Sequence, residues 1–302
     1  MAVALSRILL AGDDRDALAA TLAKVERLEH FTGAEVTVAQ VIYDYVAEEP
    51  VRPEQVAERD AIVARFTDAD RNALERQLDP FRSSVASLSG RILWSKNTAE
   101  ATIELANAEG SQLIVKPVTS GDSLVNWVRT PTDWSLMRES PCPVLFTKPG
   151  ERWDAQRCVL VAVDVADTAH EHLNRLVLDH AARIAAILAA PMHVVCVYPT
   201  LGQGVGDYQV ADDFSGLKAN MKASREQTLA ALCQELEIAV EETHVIEGHP
   251  ARTICQLAKQ LSAQITVLGT SARAGMGKLL IGNTAEQIVH TLSTDVLTVR
   301  VP

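Results

Sequence analysis

The sequence predicts an α/β protein of two tandem domains of the same kind, each a parallel sheet covered by helices on both faces. Three observations lead there. Short apolar, β-branched runs alternate with amphipathic stretches along the chain, as in strands joined by right-handed helical crossovers. Hydrophobic residues make up 47% of the 302 but aromatics only 4%, so the core is built mainly from Val, Leu, Ile and Ala, as suits strands buried on both sides. Landmarks also recur at a nearly constant interval: Gln112-Leu113 with Gln264-Ile265 (264 − 112 = 152) and Asp13 with Asp164 (164 − 13 = 151). This is the mark of an internal duplication. A chain of this length accommodates two domains, and Pro149-Gly150 divides it into 1–150 and 151–302.

In the first half, Ile8-Leu9-Leu10 is a strand ending at Gly12-Asp13, and Leu18, Leu22 and Val25 fall at helical spacing after it. Gly33 breaks the chain before a second strand, residues 36–42, and an acidic loop runs over 43–53. In the long helical region that follows, Leu74, Leu78, Phe81 and Val85 share a face. Pro80 either kinks this helix or begins another, since proline is barred from a helix interior but welcome in a first turn. Residues 91–94 form the third strand, 98–108 a helix, 113–115 the fourth strand and 144–146 the fifth, with Thr132 read as the cap of the last helix. The second half repeats the order. Strands are expected at 159–163, 193–198, 244–246, 265–268 and 296–299, and helices carry Leu173, Leu176, Val177, Ile184 and Ile187, then Leu229, Leu232 and Leu236, then Ile254, Leu257 and Leu261.

The formal charge is −11 with no long basic run, which argues against a nucleic-acid groove or an anionic membrane surface. No apolar stretch approaches the length of a membrane helix. The five cysteines, Cys142, Cys158, Cys196, Cys233 and Cys255, show no Cys-x-x-Cys spacing, and an odd unpatterned count suits a reducing compartment. A cytoplasmic location is the expectation.

The most informative stretch runs from Gly269 to Glu286. It follows the apolar run Ile265-Thr266-Val267-Leu268 and leads into Thr284-Ala285-Glu286-Gln287, which fits a capping box. Strand, glycine-rich loop and capped helix bring backbone N–H groups and a positive helix terminus to one place, suited to a phosphate. An ordinary strand-to-helix connection is the alternative.

This stretch resembles the nucleotide-binding loop of the universal stress protein family, in which Gly-x2-Gly-x9-Gly-(Ser/Thr) wraps the ribose and phosphates of ATP. Gly269 holds the first position and Gly282 the last glycine, with nine residues between Ala272 and Gly282. Ala272 replaces the second glycine, adding a Cβ that resists positive φ. Asn283 replaces Ser or Thr, keeping a short polar side chain beside Thr284. The resemblance covers nearly the whole chain and is closest to the tandem type within the family. It implies two flavodoxin-like domains of strand order 3-2-1-4-5, and an ATP site, with or without Mg²⁺, in the second. By the same resemblance Val163, Asp164 and Val197 meet the adenine end. Helix capping by Asp164 and core packing by the two valines are the structural alternatives. At the same offset the first half has Pro117, Thr130 and Pro131. Proline offers no N–H, so this half keeps the fold without the family's site.

Gly202, Gly204 and Gly206 follow the wrong strand for a dinucleotide fingerprint. His170 and His172 do not share a helix face, so with Glu171 and His180 they read as a solvated surface, and no metal site is expected. No spacing defends a catalytic base, nucleophile or carboxylate pair. The expectation is a stress-response protein acting by binding adenine nucleotide and signalling, and forming a homodimer as the family commonly does. A slow ATP hydrolase, or a scaffold or apolar-ligand binder without nucleotide, are the alternatives.

Overall fold

The computed structural model describes residues 5–12, 15–47, 49–118, 131–150, 152–200, 214–270, 288, 292 and 294–301. These form two compact units, one running to Arg152 and the other from Trp153.

The first unit runs β1 (Arg7–Ala11), α1 (Arg15–Thr32), β2 (Glu35–Ile42), α2 (Val56–Leu78), β3 (Leu88–Trp94), α3 (Thr98–Glu109), β4 (Leu113–Pro117), α4 (Pro131–Glu139) and β5 (Val144–Thr147). Its strands lie side by side in the order β3-β2-β1-β4-β5, all parallel. The second unit runs β6 (Val159–Ala162), α5 (Glu171–Leu188), β7 (Met192–Tyr198), α6 (Phe214–Glu235), β8 (Glu242–Glu247), α7 (Pro250–Gln260), β9 (Ile265–Thr270) and β10 (Asp295–Arg300). Its order, β8-β7-β6-β9-β10, is the same when counted from its own first strand, and again all parallel. Both sheets are therefore the expected 3-2-1-4-5.

The duplication is visible residue by residue in the ladders. Ile114 pairs with Val144 and Pro117 with Thr147 in the first unit; Thr266 pairs with Val296 and Gly269 with Val299 in the second. Each position is displaced by 152 (266 − 114, 296 − 144, 269 − 117 and 299 − 147). The repeated glutamines do the same work twice. Gln112 Oε1 accepts from the Ser6 N–H at 2.5 Å, and the Gln112 N–H donates to Arg7 O at 3.0 Å. Gln264 Oε1 accepts from the Asp154 N–H at 2.7 Å, its Nε2 donates to Asp154 O and Arg157 O, and its N–H donates to Cys158 O at 3.0 Å. In each unit a buried or half-buried amide ties the chain entering the first strand to the start of the fourth.

The core sits where the composition puts it. Ile8, Leu9 and Leu10 of β1 and Val159, Leu160 and Val161 of β6 are buried, as required of central strands covered on both sides. On α5 the buried stripe is Leu173, Val177, Ala181, Ile184 and Leu188, at steps of three and four; Leu176 and Ile187 lie at its half-buried flanks. Cys158, Cys196 and Cys233 are buried and Cys142 and Cys255 half-buried, all without disulfides.

Two helix boundaries resolve sequence questions. Helix α2 ends at Leu78, and Asp79–Phe81 forms a 3₁₀ turn carrying Pro80, so the proline sits in a first turn where its missing N–H costs nothing. Helix α4 begins at Pro131, one residue before the expected cap. Proline's fixed φ is already helical, and Thr132 therefore lies inside the first turn instead of capping it.

Candidate functional site

A parallel sheet with this order has one place where neighbouring strands send their connections to opposite sides. In the second unit it falls between β6 and β9, whose register pairs Ala162 with Leu268. The rim beyond the carboxyl ends of these strands and of β7 is the usual ligand position in such sheets. Four of the sequence-derived residues lie on this rim: Val163 and Asp164 just beyond β6, Val197 near the end of β7, and Gly269 near the end of β9. Ala272, Gly282, Asn283 and Thr284 lie outside the described residues.

Val163 is buried and continues the ladder past the end of β6, its N–H donating to Val195 O at 3.0 Å. Val197 is half-buried, paired with Ile246. The packing alternative describes Val163 well; Val197 retains accessible surface.

Asp164 does not cap a helix. The turn leading into α5 is capped by Asp167, which accepts from the Ala169 N–H at 2.9 Å. Asp164 Oδ1 instead accepts from the Ala166 N–H at 3.1 Å, and Oδ2 lies 3.4 Å from His170 Nδ1. Its side chain is 56% exposed. The backbone beneath it is fixed by Asn174, a buried α5 residue that sequence reasoning passed over. Asn174 Oδ1 accepts from the Asp164 N–H at 3.2 Å, and Nδ2 donates to Asp164 O at 2.6 Å. The available signal was a lone amide on an otherwise apolar stripe, next to Leu173 and three residues before Val177.

Gly269 has a packing reason of its own. A Cβ there would stand 2.8 Å from Leu173 Cδ2 and 2.9 Å from Leu173 Cγ, closer than carbon atoms tolerate. The glycine lets α5 lie close against β9. Its counterpart Pro117 is buried at the end of β4.

Around the rim, Cys196 of β7 has its thiol pushed up, first by burial and further by the Asp164 carboxylate. The Val165 N–H and Arg225 act in the opposite direction. Arg225, from α6, stacks over the Tyr198 ring at 5.5 Å. A neighbouring cleft of about 430 Å³ lies between the loop after β6, α5 and α6, lined among others by Val165, Thr168, Asn174 and Arg175. Arg175 Nη2 is held by Glu235 at 2.7 Å and Glu171 at 3.1 Å, so the cleft's cation is already neutralised and poorly suited to a phosphate.

The model of the universal stress protein family matches residues 5–148 and again residues 157–300. The chain belongs to the universal stress protein family. It is 29% identical over 287 residues to "Universal stress protein E homolog" of Haemophilus influenzae, covering 94% of this chain and 92% of that protein. It is 28% identical over 294 residues to universal stress protein E of Escherichia coli K12, covering 95% and 90%. Among solved structures, one from Pseudomonas aeruginosa UCBPP-PA14, described as a universal stress protein, superposes with a TM-score of 0.72 at 28% identity, covering 98% of this chain and 94% of that one. An Archaeoglobus fulgidus universal stress protein has the same fold at 14% identity and a TM-score of 0.62. The tandem universal stress fold is thus shared along the chain. Among the described residues no helix is long and apolar enough to cross a membrane.

Proposed function

We propose that this universal stress protein carries one adenine-nucleotide site, in its C-terminal half, and acts by binding and signalling rather than by rapid turnover. The observation that carries the reading is Asp164: an exposed carboxylate at the strand-order switch point, relieved of capping duty by Asp167 and held at its backbone by Asn174. Such an acceptor suits the ribose or adenine end of a nucleotide. In this reading Val163 and Val197 flank the base. Gly269, Ala272, Gly282, Asn283 and Thr284 form the loop around ribose and phosphates, with ATP the ligand and Mg²⁺ its companion ion. The protein works in the cytoplasm as a homodimer of the tandem chain.

A second reading, a scaffold or apolar-ligand binder without nucleotide, is favoured by one observation: the absence of a side chain at Gly269 is accounted for by packing against Leu173 and Val177 of α5. Thermal unfolding separates the two. A ligand that binds only the folded state raises the midpoint with its concentration. ATP is expected to raise the midpoint of the wild type more than GTP does. Ala272→Gly should enlarge the rise by relieving the loop, and Asp164→Ala should reduce it. An unchanged midpoint with every nucleotide would favour the scaffold.

A further inference from the structure

At the edge of the second sheet the fold assembles a group that the sequence does not announce. The register pairs His193 of β7 with Glu242 of β8, and Val195 with His244. Because side chains alternate along a strand, His193, Glu242 and His244 emerge on one face. His193 Nδ1 and His244 Nε2 are 3.1 Å apart, with the rings nearly parallel at 14° and centroids 5.3 Å apart. Glu242 Oε2 lies 3.8 Å from His244 Nε2. One ligand atom from each residue falls within 4.8 Å of the other two, and among the described residues no other three His, Cys, Asp or Glu side chains do so.

We propose that His193, His244 and Glu242 form a binding site for a divalent transition metal of the Zn²⁺, Co²⁺ or Ni²⁺ class. A tetrahedral zinc ion with bonds of about 2.0–2.1 Å holds its ligand atoms roughly 3.3 Å apart. The two imidazole nitrogens already have nearly that separation, and the carboxylate oxygen, 3.8 Å from His244 Nε2 and within 4.8 Å of the His193 ligand nitrogen, closes on them by a turn of its exposed side chain. Without a metal, two neutral rings can share this contact only if one nitrogen donates a proton to the other. A metal accepts both lone pairs at once. Two imidazoles and one carboxylate select this class over Mg²⁺ and Ca²⁺, which take all-oxygen shells. The His244 side chain is 12% exposed and that of Glu242 62%, so the nitrogen is sheltered while the carboxylate is open to solvent. Three protein ligands leave a position for water.

The first unit supplies an internal control. Matching ladders place Thr37, Ser89 and Arg91 at the positions of His193, Glu242 and His244. There the cross-strand pair is a hydroxyl contact, Thr37 Oγ1 to Ser89 Oγ at 3.5 Å. The duplicated fold brings the same positions together in both halves, but only the second carries metal ligands there. This metal position lies near the amino end of β7, about four residues or ~13 Å from the nucleotide rim at its other end. A metal here would clasp the edge strand β8 to β7.

The test is titration of the full chain with Zn²⁺ by equilibrium dialysis, and with Co²⁺ by visible absorption. The expected result is one Zn²⁺ per chain and intense ligand-field bands of low-coordinate Co²⁺. His244→Asn and His193→Asn should each weaken binding about 100-fold, the share of one ligand in a small site. Should either histidine variant fail to fold, the exposed Glu242→Gln serves, with affinity expected to fall about tenfold. His170→Asn, outside the group, should bind like the wild type. No saturable Zn²⁺ binding, or binding unaffected by changes at 193, 242 and 244, would overturn the assignment.

Discussion

Asn174 grips both backbone polar groups of Asp164, accepting from its N–H at 3.2 Å and donating to its C=O at 2.6 Å. A buried side chain on the first helix of the second unit therefore fixes the loop that leaves the first strand. The position of the Asp164 carboxylate follows from that grip.

Replacing Asn174 should damage both stability and the rim. Asn174→Ala removes both hydrogen bonds to the part-buried Asp164 backbone, each worth about 0.5–1.5 kcal/mol. Urea unfolding should report that loss, and nucleotide affinity should fall as the Asp164 loop is released. Asn174→Asp supplies only acceptors, so it should restore the contact to N–H but not the one to C=O.

Gly269→Ala should destabilise through overpacking. The new Cβ meets Leu173 at 2.8 Å, and such crowding costs about 1–3 kcal/mol. Leu173→Ala in the same chain opens the space, so the double variant should lose less than the sum of the two single losses. A strictly additive denaturation result would show that Leu173 is not the reason for the glycine.

Stability should fall as the solution is acidified through the histidine range. His180 is held below the usual imidazole value of 6.5, by burial first and then by Arg183, against Asp179. His244 is lowered by burial first, opposed by Glu242 and reinforced by His193. With both folded values depressed, the unfolded chain binds more protons as pH drops through about 6.5. This contribution is therefore present above that pH and lost below it, levelling off once the folded histidines protonate. The urea midpoint should be lower near pH 5.5 than near pH 7.5, and His180→Asn should flatten that part of the profile.

The thiols should be poor nucleophiles in the native protein. Burial pushes Cys142 up to about 11 and raises Cys158, Cys196 and Cys233 as well, which removes the reactive thiolate at neutral pH. Iodoacetamide should label these four slowly until denaturant is added, as read by peptide mass mapping. Rapid native labelling of Cys196 would contradict its place under the rim.

The sheets were readable from sequence because each central strand is an uninterrupted apolar run, and because the 152-residue displacement repeats in the ladders themselves. Pro80 was ambiguous because a proline excludes a helix interior but accepts a kink or a new first turn, and only the described 3₁₀ turn decides between them. Asp164 could be placed at a strand end but not relieved of capping, since Asp164 and Asp167 both precede the helix and only geometry distinguishes them. The pair His193 and His244 was invisible for a different reason. The residues are 51 positions apart, and their meeting depends on the β7–β8 register, which local pattern does not set. His170 and His172 drew attention by proximity in sequence, yet the fold joins other histidines.

The most direct measurement is calorimetric titration of Mg²⁺-ATP into the full chain and into its Gly282→Val and Asp164→Ala variants. Saturable binding at one site per chain, lost in Gly282→Val and weakened in Asp164→Ala, is the predicted result. No heat of binding at millimolar ATP, or two equivalent sites unaffected by either variant, would contradict a nucleotide site in the C-terminal half.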